Sequence, residues 1–145
     1  MSKSNAFETA LLQLVFQNAT IANIGDATGL RGSTTAGQLF FRLHSADPGE
    51  VGTQATNEVS YTGYAPVGVA RSSAGFTVTD SSVSPAANVD FPPCTAGTAT
   101  ATHFSVGVAS SGATLVLYKG AISPTIAIAA GVTPRLTTAT AITED

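Results

Sequence analysis

Two histidines, one cysteine and nine acidic residues are the whole stock of this chain for metal or acid-base chemistry. A zinc site needs a second His or Cys at ligand spacing from the first, and neither His44 nor His103 has one. His44, Asp47 and Glu50 share one turn region and could grip a divalent cation, although such a trio is more commonly a solvated turn. His103 falls on the polar alternate of a strand pattern and reads as a hydrogen-bonded face histidine. A serine nucleophile would sit in Gly-x-Ser-x-Gly on a strand-to-helix elbow. The nearest match, Val108-Ala109-Ser110-Ser111-Gly112, lacks the first glycine and joins two strands, so it reads as a hairpin turn. Gly25-Asp26-Ala27-Thr28-Gly29 has neither the Gly-Lys-Ser/Thr ending nor the preceding strand of a phosphate cradle. Cys94 has no partner for a disulfide and no Lys or Arg between Arg71 and Lys119 to lower its pKa, and reads as a small buried hydrophobe. The expectation is a protein that is not an enzyme and carries no metal or cofactor.

The elements that hold these residues begin with one helix. Asn5 can cap it, Glu8 can reach back as in a capping box, and Phe7, Leu11, Leu12, Val15, Phe16 and Ala19 then share an apolar face, which places the helix at about residues 5–18. A helix this short is not stable alone, so its face must rest on this subunit or on a neighbour. Residues 24–37 are rich in Gly, Ser, Thr and Asp and read as a long, mobile loop. The texture then changes to short alternating runs divided by Gly, Pro, Ser and Asp, and a β-sandwich is expected over about 38–142. Leu39, Phe41 and Leu43 point one way and Phe40, Arg42 and His44 the other, up to the turn Ala46-Asp47-Pro48-Gly49. Further strands are expected at 58–61, 64–71, 76–79, 89–91, 102–108, 114–119, 126–128 and 132–138. Without helices between them, they exclude a parallel α/β sheet. The expected fold is all-β, an antiparallel jelly roll or β-sandwich of about eight strands in a single domain spanning 1–145, with one short N-terminal helix.

Composition narrows the function classes. Six Lys or Arg against nine Asp or Glu give a net charge of −3, and only 10% of the chain is charged. No basic patch exists to neutralise phosphates or hold an anionic membrane, so neither nucleic acid nor membrane is an expected partner. The start has one Lys followed by Glu8, and Gln13 and Gln17 interrupt the apolar stretch after it, so no secretory signal is expected and synthesis is placed in the cytoplasm. Ala, Thr and Ser number 24, 21 and 14, and from Phe91 to Tyr118 there is no Asp, Glu, Lys or Arg. Long uncharged strands template aggregation when their edges stay open, which suggests edges and faces covered by other subunits.

Four phrases in order give a resemblance over about residues 5–144. They are Arg42-Leu43-His44-Ser45-Ala46-Asp47-Pro48-Gly49-Glu50, Asn57-Glu58-Val59-Ser60-Tyr61-Thr62-Gly63-Tyr64, Phe91-Pro92-Pro93-Cys94-Thr95-Ala96-Gly97, and the run from Thr102-His103-Phe104 to Ser110-Ser111-Gly112. The chain resembles a family of small structural proteins of tailed bacteriophages and prophages, often labelled tail-fibre proteins, and within it the jelly-roll cement (decoration) proteins, as on a short-tailed phage of Bordetella. The resemblance implies a homodimer on the outer surface of the virion capsid, bridging neighbouring major capsid proteins. The alternatives are a tail or tail-fibre component and a carbohydrate-binding sandwich, for which only Tyr61, Tyr64 and Tyr118 could stack on sugars. For the capsid contact, Phe7, Leu11 and Phe16 are the candidate anchors, against the reading that they close one end of this subunit's own sandwich; the 24–37 loop and the tail 137–145 are further candidates.

Overall fold

A computed structural model describes residues 2–144. In chain order the elements are α1 (Asn5–Gln17), β1 (Gln38–His44), β2 (Val67–Ala70), β3 (Phe76–Thr79), β4 (Ser82–Pro85), β5 (Val89–Asp90), β6 (Thr98–Gly107), β7 (Val116–Ala129), β8 (Arg135–Leu136) and β9 (Ile142–Thr143). The sheets run β2-β1-β6-β7, β3-β4-β9 and β5-β8. The fold class is therefore as expected: all-β, antiparallel and sandwich-like, with one short N-terminal helix. Two compact units interleave along the chain, one built from residues 2–38, 69–88 and 137–144 and the other from 39–68 and 89–136.

In the first unit, α1 packs on β3 and β4. The buried stripe of the helix is Glu8, Leu12 and Phe16, spaced four apart along one face. Phe16 meets Phe76 edge to face with ring centroids 5.0 Å apart, and Gln17 Nε2 donates to the Phe76 carbonyl at 2.9 Å. The expected capping box does not form. Ser4 is the N-cap, its carbonyl accepting the amides of Phe7 and Glu8, and Glu8 turns inward on the buried stripe instead of reaching back.

No basic residue lies in the last turn of α1, yet its carbonyls are well served. Arg71 reaches from the segment before β3 and donates from Nε to the Val15 carbonyl at 2.6 Å and from Nη2 to the Leu14 carbonyl at 2.7 Å. A cation at a helix C-terminus offsets the partial negative charge of acceptors that have no partner within the helix. Nη1 of the same residue donates to Ser33 Oγ and the Ala36 carbonyl, and Asn18 grips Ser33 through both ends of its amide. The Gly-rich loop expected to be mobile thus has ties at its base, an Ile21 to Leu30 bridge, and an exposed tip.

In the second unit β1 pairs with β6 in the register Phe41 to Val106, Leu43 to Phe104 and Arg42 to Ser105. Residues directly opposite share a face, so Phe41, Leu43, Phe104 and Val106 line one side, all at most 4% exposed, with Phe41 and Phe104 stacked diagonally at 6.3 Å. Glycines on β6 and β7 permit close approach: a Cβ on Gly107 would fall 2.1 Å from the Gln54 side chain, and one on Gly120 2.8 Å from the Phe104 ring.

Several sequence boundaries move. The expected strands 114–119 and 126–128 are one strand, β7, in which four residues, 122–125, bulge out of the pairing with β6. The stretch around Pro124 separates the two in the sequence pattern, because the pattern cannot distinguish a bulge from a turn. In place of the strand expected at 58–61 there is one isolated bridge, Glu58 to His44, and just beyond it Thr62 bridges Ala96. β4 and β9 were not anticipated, because each offers one large apolar residue, Val83 or Ile142, too few to show a period. Among the described residues no helix is long and apolar enough to cross a membrane.

Candidate functional site

The face of β1 opposite Leu39, Phe41 and Leu43 is also covered, because residues 54–58 return to it. Arg42 and His44 are 1% and 0% exposed, and Gln54 is 0%. Arg42 Nη1 donates to Glu58 Oε2 at 3.0 Å and to the Gly112 carbonyl at 3.1 Å, and Nη2 donates to the Ala109 carbonyl at 3.0 Å. Its Nε is closed off from solvent without a hydrogen-bond partner. Glu58 Oε1 accepts the Tyr64 hydroxyl at 3.0 Å, and that hydroxyl in turn accepts the Leu43 amide at 3.1 Å. One buried cation therefore fixes the returning segment, the 109–112 turn and β1 to one another.

Gln54 extends the same arrangement. Its Nε2 donates to the Phe40 carbonyl, and its Oε1 accepts the Thr114 hydroxyl at 2.8 Å. His44 Nδ1 lies 2.8 Å from the Thr56 carbonyl, which can only accept, so Nδ1 carries the proton in the neutral ring and Nε2 accepts from Ser105 Oγ, also at 2.8 Å. Burial holds the His44 pKa below its ordinary 6.5, against the opposing pull of the Thr56 carbonyl and Glu58. Both ring nitrogens are occupied by the scaffold, so His44 has none to offer a metal.

Other residues of the cation trio are engaged as well. Lys119 Nζ sits 3.0 Å from Asp47 and 3.0 Å from Glu50, and its pKa is raised by hydrogen bonds to those carboxylates. Among the described residues no group of three or more His, Cys, Asp and Glu gathers to hold a metal ion. His103 pairs through Nδ1 with the Thr102 hydroxyl at 2.9 Å. Cys94 is 1% exposed and its thiol donates to the Ala96 carbonyl. Asp26 closes its own turn by accepting the Thr28 amide at 2.7 Å.

Of the three tyrosines that could stack on sugars under the carbohydrate-binding alternative, Tyr61 and Tyr64 turn inward. Tyr61 is 8% exposed and donates to the Pro92 carbonyl at 2.8 Å, with its pKa pushed up to about 12 by burial. Tyr64 stacks on Phe91 at 6.2 Å and meets Tyr61 edge to face at 5.2 Å. Burial raises its pKa further still. Neither ring is a platform.

The three helix residues singled out as anchors separate by depth. Phe16 is fully buried against Phe76 and is unavailable to any partner in the folded chain. Leu11 is half-buried and Phe7 is 38% exposed. The cause is the phase of the helix: its buried stripe runs through Leu12, one position from Leu11.

Beside the Arg42 cluster an open depression of about 410 Å³ is lined by Arg42, Glu58 and Tyr64 together with Ser60, Ser110 and Ser111. No sequence motif pointed to it, because its walls come from three separate stretches and Arg42 looked like an ordinary outward strand residue.

What these features define is an antiparallel all-β protein whose buried charged and polar groups brace its own scaffold. Residues 2–143 match the family model described as Podophage GP4 fiber I protein gp80, and the chain belongs to that family. It is a structural protein of podophages, and its place is in the virion. No curated protein matches the chain.

Proposed function

We propose that this protein is a capsid cement protein, bound as a homodimer to the outer surface of the shell and bridging neighbouring major capsid proteins. The observation that carries the reading is β7. This 14-residue strand ends the order β2-β1-β6-β7, so among the described residues one of its edges has no strand beside it. Its single charged residue, Lys119, is folded back onto Asp47 and Glu50. An open edge without a charge facing outward is a liability in a free monomer and an asset in a subunit that is covered on assembly. A protein that binds the assembled shell and not its dissociated parts stabilises the shell by mass action, and two grips per dimer make modest contacts sufficient. The sequence resemblance to jelly-roll cement proteins supports the capsid as the surface.

The family description favours a second reading, a tail-fibre component. Cosedimentation of the purified chain with expanded capsids lacking it separates the two. Saturable binding to shells supports the cement role. Absence of binding to shells, with binding to tails, assigns the chain to the fibre.

A further inference from the structure

We propose that the open depression beside Arg42 is a saccharide site that takes the terminal neutral sugar of a glycan. Its volume, about 410 Å³, lies within the roughly 300–1,000 Å³ usual for small-molecule sites. Its floor is preorganised, since Arg42 and Tyr64 hold both oxygens of Glu58 and Arg42 also holds the carbonyls of Ala109 and Gly112. Around it stand the exposed hydroxyls of Ser60, Ser110 and Ser111, none of which has a hydrogen-bond partner among the described residues.

Charge selects the ligand class. The Arg42 side chain is 1% exposed and that of Glu58 20%, and the two are paired with each other, so the opening offers neither an anion nor an ammonium ligand an unpaired opposite charge. What remains is a ligand that offers several neutral donors and acceptors at once, and a sugar ring does so. Each carboxylate oxygen keeps lone pairs for sugar hydroxyls, and each serine can donate or accept.

No aromatic platform adds stacking energy, so the site binds through hydrogen bonds alone, with an expected Kd of about 1–10 mM. Many copies on one particle convert such an affinity into firm adhesion to a glycan-coated surface. The site does not depend on whether the chain decorates the capsid or the fibre.

The test is a titration of the 15N-labelled full chain, followed by amide NMR shifts, with glucose, galactose, N-acetylglucosamine and rhamnose up to on the order of 100 mM. Inorganic phosphate and an N-acetyl-lysine amide serve as charged probes. The expected result is a saturable shift for at least one sugar, confined to the amides of Ser60, Tyr64 and residues 110–112. Ser110→Ala combined with Ser111→Ala should weaken it at least fivefold while the rest of the spectrum stays unchanged. Absence of a saturable shift with all of the sugars overturns the proposal. So does a shift that survives the double substitution, or one produced at the same amides by phosphate or the amine and not by sugar.

Discussion

Arg42→Ala removes the buried cation that joins three segments of the second unit. The lost interactions are an ion-paired hydrogen bond to Glu58 and hydrogen bonds to the carbonyls of Gly112 and Ala109. Hydrogen bonds to charged groups contribute about 1.5–3 kcal/mol each, and breaking a buried pair costs about 3–5 kcal/mol because the remaining charge loses its partner. Two features hold the cost to the lower end of that range. The Glu58 side chain is 20% exposed, so water reaches it, and the carbonyl of Gly112 lies in an exposed turn. The unpartnered Nε also disappears with the side chain, which relieves a buried penalty. The expected loss is about 3 kcal/mol, or roughly 6–12 °C in Tm for a chain of this length. Urea denaturation followed by circular dichroism measures it, with m unchanged if the native state stays compact. Glu58→Gln closes a double-mutant cycle. A loss under about 1 kcal/mol, or additivity of the two substitutions within about 0.5 kcal/mol, would refute the role given to this pair.

The helix residues should divide by burial: Phe16→Ala is expected to cost about 3–5 kcal/mol in urea denaturation, whereas Phe7→Ser should stay within about 1 kcal/mol of the parent and weaken capsid retention in cosedimentation. Arg71→Ala should fray the end of α1, read as faster hydrogen exchange at the amides of residues 17–19 with the 39–68 and 89–136 unit unaffected. His44 is held neutral by burial, so its contribution to stability is complete above 6.5 and is lost as the pH falls below it, by at most about 1.4 kcal/mol per pH unit. His44→Asn should flatten the stability profile as the pH falls below 6.5. That window lies above the one in which Asp47 and Asp90 act: their carboxyls are held below the ordinary 3.8 by hydrogen bonds, from the Gly49 amide first and then Lys119 for Asp47, and from Arg135 for Asp90.

The fold class was legible because Leu39, Phe41 and Leu43 alternate, Phe104, Val106 and Val108 do the same, and Pro and Gly divide such runs at short intervals. The buried polar network was not. Period-two reasoning turns Arg42 and His44 outward, and only the return of residues 54–58, a long-range event, places Glu58, Thr56 and Gln54 on that face. The same limit hid the helix cap, since Arg71 and the carbonyls it serves are more than fifty residues apart in the chain. Whether Phe16 anchors a partner or closes this subunit's own sandwich was open in the sequence for a related reason. An apolar face on a short helix shows that something covers it, and in this chain Phe76 does. The depression has no sequence signature, since Arg42, the 58–66 stretch and the Ser110-Ser111-Gly112 turn that line it are far apart in the chain.

As proposed, this family member is a structural subunit on the outside of the capsid. Cryo-electron microscopy of the intact virion tests it most directly. The account predicts density for the all-β body on the outer shell, in contact with at least two neighbouring capsid subunits. Density for it in the tail, with bare capsid joints, would contradict the account and make the chain a fibre component.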